Sequence, residues 1–204
     1  MIRSARLFFC FVALSGSFGC ATQPTATPEL PEDLALYHTQ TLESPSPYPA
    51  PVAYSAFVSR GSKWRLESTN ETGGITVVVW DGLRAGVAPA HPDADLSAVP
   101  RLDFRNKLRE LYSQLNDAEY VGQDKIGKHW CWHYRMTSLL EVTDVWIDTT
   151  NSVPRQIVGS SAGAGDHRMK RVFEDLPVKG EIDERLFDIA QLKARILSAS
   201  GESS

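Results

Sequence analysis

Cysteine is scarce in this chain, with three in 204 residues, at positions 10, 20 and 131. Only Cys131 lies in the body of the sequence, so no disulfide can form within it and the fold has to stand on an apolar core. Positive charge is not in excess: 21 Lys and Arg face 25 Asp and Glu, for a formal charge of -4. No basic patch stands out, which removes the electrostatic footprint expected of nucleic-acid binding. The one early apolar run, residues 7–14, is too short to span a bilayer, which takes about 20 residues as a helix. Internal repeats are absent. The G-x-x-x-x-G-K-[ST] spacing of a phosphate loop is absent too.

What is present is the profile of a globular protein of one ordinary domain, with 42% apolar and 23% charged residues. The first stretch, "MIRSARLFFCFVALSGSFGC", has Arg3 and Arg6, then the apolar run, then small residues, and reads as a secretory leader. Its end, "SGSFGC", resembles the lipobox of bacterial lipoproteins. That resemblance implies lipidation of Cys20, which would become the mature N-terminus. Loss of residues 1–19 lowers Lys+Arg from 21 to 19 while Asp+Glu stays at 25, so the mature charge is about -6. An acidic chain gains nothing from an anionic membrane surface, so attachment is expected to come from the acyl chains.

After Cys20, "ATQPTATPELPED" is rich in Pro and Thr and poor in large apolar residues, as a disordered tether would be. A short amphipathic piece, "DLALYHTQTL", separates it from a second such stretch, "ESPSPYPAP". These features predict a leader over 1–19, a lipidated N-terminus and tether over 20–51, and one folded domain over 52–199. Beyond Val52 the texture is mostly β. In "SKWRLEST", Trp64 and Leu66 alternate with Lys63, Arg65 and Glu67, the period of a strand with one wet face. "TVVVWDGLRAGVAP" predicts two strands around Asp81-Gly82. "DFRNKLRELYSQLND" changes period: Leu108, Leu111, Tyr112 and Leu115 share a helical face, and Asp103 is the expected N-cap. Strands resume with "AEYVGQDKI" and "KHWCWHYRMT", joined at Gly127. "VTDVWIDTTNSVPRQIVG" and "HRMKRVFEDL" follow, and residues 188–199 suggest a terminal helix. The expectation is a mainly β (α+β) domain, an antiparallel sheet of seven to nine strands with one or two helices packed on it.

The second half also resembles a known family. "VWIDTTNSVPRQIV", through Trp146, Ile147, Asp148, Pro154, Arg155 and Val158, resembles a hairpin of the LolA/LolB-like superfamily of bacterial envelope lipoproteins and lipoprotein carriers. "YVGQDKIGKHWCWHYRM" is similar to a strand pair of that superfamily through Gly122, Gly127 and Cys131. "VFEDLPVKGEIDERLFDI" resembles its closing segment, and "VVVWDGLRAGV" its W/Y-D-G hairpin. The resemblance covers roughly residues 52–190, and its strength lies in the order of the motifs. It implies an open antiparallel half-barrel with helices across the concave face and space for an acyl chain between them.

Candidate chemistry centres on "KHWCWHYRM", residues 128–136. Along a strand, His129, Cys131, His133, Arg135 and Thr137 share one face, and Trp130, Trp132, Tyr134 and Met136 share the other. Three consecutive same-face positions span more than 13 Å of backbone, at roughly 6.6 Å per pair, which is too splayed for one metal ion. His91 and His167 are isolated, so no second cluster completes a site. A Cys–His catalytic pair lacks oxyanion donors and an orienting third group. Residues 159–163, "GSSAG", match G-x-S-x-G at Ser161, but the following sequence reads as turn and strand rather than the helix a nucleophile elbow needs. The aromatic row therefore carries the expectation. Trp64, Leu66, Trp130, Trp132, Tyr134 and Met136 are the candidate walls of an apolar ligand cavity, with neither metal nor cofactor, and His129 and His133 are expected to face water.

The functional expectation is a non-enzymatic envelope lipoprotein, facing the periplasm from the outer membrane. It would hold an acyl chain, lipid or lipoprotein by burial. The alternative is a structural or sensing module with a filled core, whose partner is another envelope protein. No nucleic-acid partner is expected.

Overall fold

The computed structural model describes residues 24–43, 52–69, 72–89, 103–161, 168–176, 181–193 and 196. The lipobox cysteine, Cys20, lies outside them. Ten strands form one antiparallel sheet: β1 (Leu34–Glu43), β2 (Ala53–Arg60), β3 (Lys63–Thr69), β4 (Ile75–Trp80), β5 (Ala85–Ala88), β6 (Glu119–Ile126), β7 (His129–Thr137), β8 (Glu141–Asp148), β9 (Pro154–Ser161) and β10 (Arg168–Asp175). Their order across the sheet is β5-β4-β3-β2-β1-β10-β9-β8-β7-β6. The edges, β5 and β6, do not meet, so the sheet is open. An α-helix, α1 (Phe104–Gln114), connects the two edges. The expected mainly β architecture is observed, with one strand more than the upper count.

That extra strand overturns the boundary at Val52. β1 was read as part of the tether, yet it pairs with β2 on one side and β10 on the other. The alternation in "LALYHTQTL" is the period of a strand: Leu34 and Leu36 are 2% and 1% exposed on the α1 side. The preceding residues also make contacts that a free tether would not. Pro28 is buried, Leu30 packs on the core, and Thr27 Oγ1 donates to Asn116 Oδ1 at 2.6 Å.

The turns follow local chemistry. Gly61 (φ 56°) and Gly127 (φ 58°) supply the left-handed conformation at the two-residue turns before β3 and β7. The Asp81-Gly82 hairpin is looser than the dipeptide suggested. Residues 81–84 form the connection, and Asp81 Oδ1 accepts from the amides of Leu83 and Arg84 at 2.9 and 2.7 Å.

The sheet carries a layer on each face. On one, α1 lays Leu108, Tyr112 and Leu115 against Leu36, Phe57, Trp64, Val145 and Phe173. Asp103 caps the helix by accepting from the amides of Arg105 and Asn106, and the expected apolar face is the buried one. Full burial of a side chain such as Phe57 contributes about 1.5–3 kcal/mol. Tyr112 Oη donates to the Ser152 carbonyl at 2.6 Å and pins the helix to the β8–β9 turn.

The face of β3 that carries Lys63, Arg65 and Glu67 is the expected wet one, yet over β2–β5 that face is covered. Residues 182–192 lay Ile182, Leu186, Phe187, Ile189 and Leu192 on Val58, Val77 and Val79. A short 3-10 turn at Glu184–Phe187 precedes the expected terminal helix of residues 188–199, a second at Ile189–Gln191 stands at its start, and Ile196 is helical. Of residues 194–204, only Ile196 is described. Gly86 lets this segment approach closely, since a Cβ there would stand 2.7 Å from Leu192 Cδ1 and push that side chain aside. Arg65 and Glu67, the presumed wet positions, are both 0% exposed and paired. Arg65 donates to the carbonyls of Leu186 and Lys193, and the Ile196 amide donates to Glu67 Oε2 at 3.1 Å. A buried charge pair thus fastens the C-terminal segment to the sheet.

Candidate functional site

The alternation in β7 is real, but its two faces differ from expectation. Trp132, Tyr134 and Met136 lie on the α1 face and belong to or pack on the main core, together with Trp64 and Leu66. Trp64 and Tyr134 are 2% and 4% exposed, so these rings fill space as much as they wall it. Trp130 leaves the row. It is 58% exposed at the start of β7, where the core cluster does not reach it.

The other face of β7 does not look out to water. His133 is 7% exposed. Its Nδ1 lies 3.1 Å from Asp124 and its Nε2 2.9 Å from Asp144, and its ring stacks on Trp146 at 4.3 Å. His129 Nδ1 lies 2.7 Å from Asp148. Register explains the correction. β8 sets Trp146 opposite His133, Asp144 opposite Arg135 and Asp148 opposite Cys131, so each polar group meets a cross-strand partner.

The same contacts assign roles to the recognised "WID…PR" residues. Ile147 is core, and the Trp146 indole donates to Asp124 at 2.8 Å. Arg155, 1% exposed, donates to both Asp148 and Asp175. Burial opposes ionisation of Asp148, yet the Thr150 amide, Arg155 and His129 outweigh it and hold the carboxyl below the usual range. Asp144 behaves likewise: hydrogen bonds from Arg135 and His133 overcome burial. These are cross-braces at one end of the sheet.

The catalytic alternatives find no such support. Burial pushes the Cys131 thiol up to about 11, with Asp148 adding to the effect, whereas a nucleophilic cysteine needs a depressed value. Ser161 closes β9 opposite Glu141, and the next described element is a strand rather than a helix. Among the described residues, no group of three or more His, Cys, Asp or Glu side chains could hold a metal ion.

A cavity lies on the α1 face. It occupies about 210 Å³ between α1 and strands β8–β10. Phe104, Leu108 and Leu111 form the helix side, and Ile157 and Met169 the sheet side. None of the six aromatic and apolar residues proposed from sequence lines it. Gly159 gives it depth, since a Cβ there would come within 2.7 Å of Glu141 Oε1. A charged residue that the sequence alone does not mark lines it, and a part-buried histidine stands next to that residue's neighbours. Arg171 is half-buried in the cavity wall. Its Nε donates to Gln40 Oε1 at 3.2 Å and its Nη2 reaches Met169 Sδ at 3.4 Å. His38 lies beside it, stacked against both Phe104 and Phe173 at 5.4 and 5.0 Å in a cluster where those two rings are themselves 5.9 Å apart. Burial, reinforced by the charge of Arg171, lowers its pKa to about 4, so it is neutral at pH 7. The signal for these residues was the period of two in β1 and β10, where His38, Gln40, Met169, Arg171 and Phe173 share the inner face.

Residues 96–194 match a family model described as "Predicted periplasmic protein (DUF2092)". That span takes in α1, β6–β10 and the cavity. No curated protein matches the chain in sequence. Among solved structures, a LolA superfamily protein from Nitrosomonas europaea is similar over 81% of this chain and 94% of its own, at 10% identity and TM-score 0.40. MucB, in complex with MucA(peri), is similar over 78% of this chain and 54% of its own, at 14% identity and TM-score 0.44. PNGF-II covers 76% of this chain and 30% of its own, at 9% identity and TM-score 0.33. No helix among the described residues is long and apolar enough to cross a membrane.

Proposed function

We propose that this chain is an envelope binding protein, tethered through a lipidated Cys20 and facing the periplasm, that holds an apolar chain in the cavity under α1. One observation carries the reading. On a sheet face otherwise filled by core side chains, a cavity of about 210 Å³ stays open between Leu108 and Leu111 on the helix and Ile157 and Met169 on the sheet. At roughly 30 Å³ per water, that is space for about seven waters. The size suits one short acyl segment and not a whole two-chain lipid. Burial of each methylene contributes about 0.8 kcal/mol, so a segment of this length binds by burial alone. The family description supports the compartment.

The test uses the neutral fluorophore N-phenylnaphthylamine with residues 24–204. The wild-type chain should bind it with enhanced emission. Leu111→Trp, which places an indole across the cavity, should lose most of that signal while its circular dichroism and melting stay unchanged. Probe binding that survives Leu111→Trp would refute the assignment.

The second reading, a module that docks on another envelope protein, is favoured by the filled core around Trp64 and Tyr134. Exposed Trp130, at 58%, is the side chain it would use. Unchanged partner capture by Trp130→Ala would count against it.

A further inference from the structure

The cavity under α1 is apolar but not neutral. Arg171 is held in its wall by one amide oxygen and one thioether, and no carboxylate lies within 4 Å of it among the described residues. A guanidinium has five N–H donors. Gln40 and Met169 occupy two, so three are left without a partner among the described residues. Of the buried arginines, Arg105 likewise lacks a carboxylate among the described residues and reaches only the carbonyls of Gly61 and Pro31, whereas two others are paired. Arg65 has Glu67, and Arg155 has Asp148 and Asp175. None of the Arg171 nitrogens is among the buried atoms left without a partner, so the spare donors are open to solvent or to an anion that enters the cavity. Burial draws its pKa down from the ordinary value, only partly offset by Glu141, while guanidinium keeps its charge at any physiological pH. His38, the nearest buried base, is neutral and adds no charge. Lys107 and Glu141, both exposed, stand at the rim. With Arg171 they leave the cavity a net charge of +1, on a chain whose overall charge is -4.

We infer that the occupant is a single-chain amphiphile with an anionic head, its carboxylate or phosphate paired with Arg171 and its chain lying along Leu108, Leu111 and Ile157. The inference rests on the reading of this cavity as a binding site and adds the chemical class of its ligand. Planar carboxylate and phosphate both match the guanidinium fork. The small volume excludes a second chain, and Lys107 on the helix side stands at the rim rather than beside Arg171 in the sheet.

The experiment compares octanoate, octyl phosphate and octanol, below their micellar concentrations, by calorimetry on residues 24–204 and on Arg171→Gln. Wild-type protein should bind at least one of the two anions at least tenfold more tightly than octanol, and the better anion identifies the head. Arg171→Gln should erase that preference while leaving octanol affinity within about twofold. It breaks no ion pair, so its melting temperature should match or exceed that of the parent. Equal wild-type affinity for the anions and octanol would overturn the inference while sparing the binding site. No binding of any of the three would overturn both. The wild-type comparison decides the matter even if the variant fails to fold.

Discussion

Replacing Glu67 with leucine should strip Arg65 of its carboxylate while the guanidinium stays sealed at 0% exposure. The carbonyls of Leu186 and Lys193 remain as acceptors, but they carry dipoles rather than a full charge. Breaking a buried pair from one side costs about 3–5 kcal/mol, and the Ile196 amide loses its acceptor for about 1 kcal/mol more. A loss of at least about 4 kcal/mol is a large share of a domain's roughly 5–15 kcal/mol. Adding Arg65→Met removes the orphaned charge. Among the described residues, what then remains is two carbonyls and one amide, all in part-buried bonds, at about 1 kcal/mol each. The double variant should therefore be more stable than Glu67→Leu alone, although it carries one more substitution. Urea unfolding at 25 °C, followed by tryptophan fluorescence, measures both free energies. Hydrogen exchange should show residues 182–196 opening first in the single variant. The reasoning fails if Glu67→Leu changes stability by less than about 0.5 kcal/mol, as an ordinary surface change would, or if the double variant is the weaker of the two.

Two further predictions concern the frame around the cavity. A chain that begins at Val52 lacks β1 and leaves β2 and β10 without their shared neighbour. It should not melt cooperatively, whereas a chain that begins at residue 24 should; a native-like spectrum from the shorter chain would contradict the placement of β1. Asp144 and Asp148 both have depressed pKa values in the fold. Their stabilisation is therefore fully present above the unfolded value near 3.9 and is lost as pH falls through the lower folded values. Urea titrations from pH 7 to pH 2 should show stability falling below about pH 4, and the fall should be shallower in Asp144→Asn/Asp148→Asn. An equally steep fall in that variant would show that other carboxylates dominate.

Much of the architecture could be read from period and turn chemistry. The helix face of Leu108, Tyr112 and Leu115, its Asp103 cap and the alternation through β7 all follow from local rules that the packing obeys. What escaped depends on distant partners. Arg65 and Glu67 look like solvent positions until residues 182–196 arrive to cover them. His133 looks exposed until β8 brings Asp144 and Trp146 across from it. The aromatic row was the most visible signal for a cavity, yet large rings are what fill a core. The open space lies instead where smaller or flexible residues, Gly159 and Met169, meet the helix. Arg171 was hidden because a charge interrupts the apolar alternation by which an inner face is recognised.

The position of β1 has a consequence for how the chain reaches its native state. Every neighbouring pair in the sheet joins consecutive strands except β1 with β10, which brings the first strand beside the last. As the polypeptide emerges from a ribosome or a translocation channel, β2–β5 can pair by local hairpins. β1 waits with one row of amides and carbonyls open until residues 168–175 appear. Such a seam makes folding all-or-none and places its slow step at the end of synthesis, since closure over so long a loop must precede the contacts that reward it. Until then the open edge invites pairing with other chains. A cell that produces this protein therefore gains from holding it unfolded until the last strand is available.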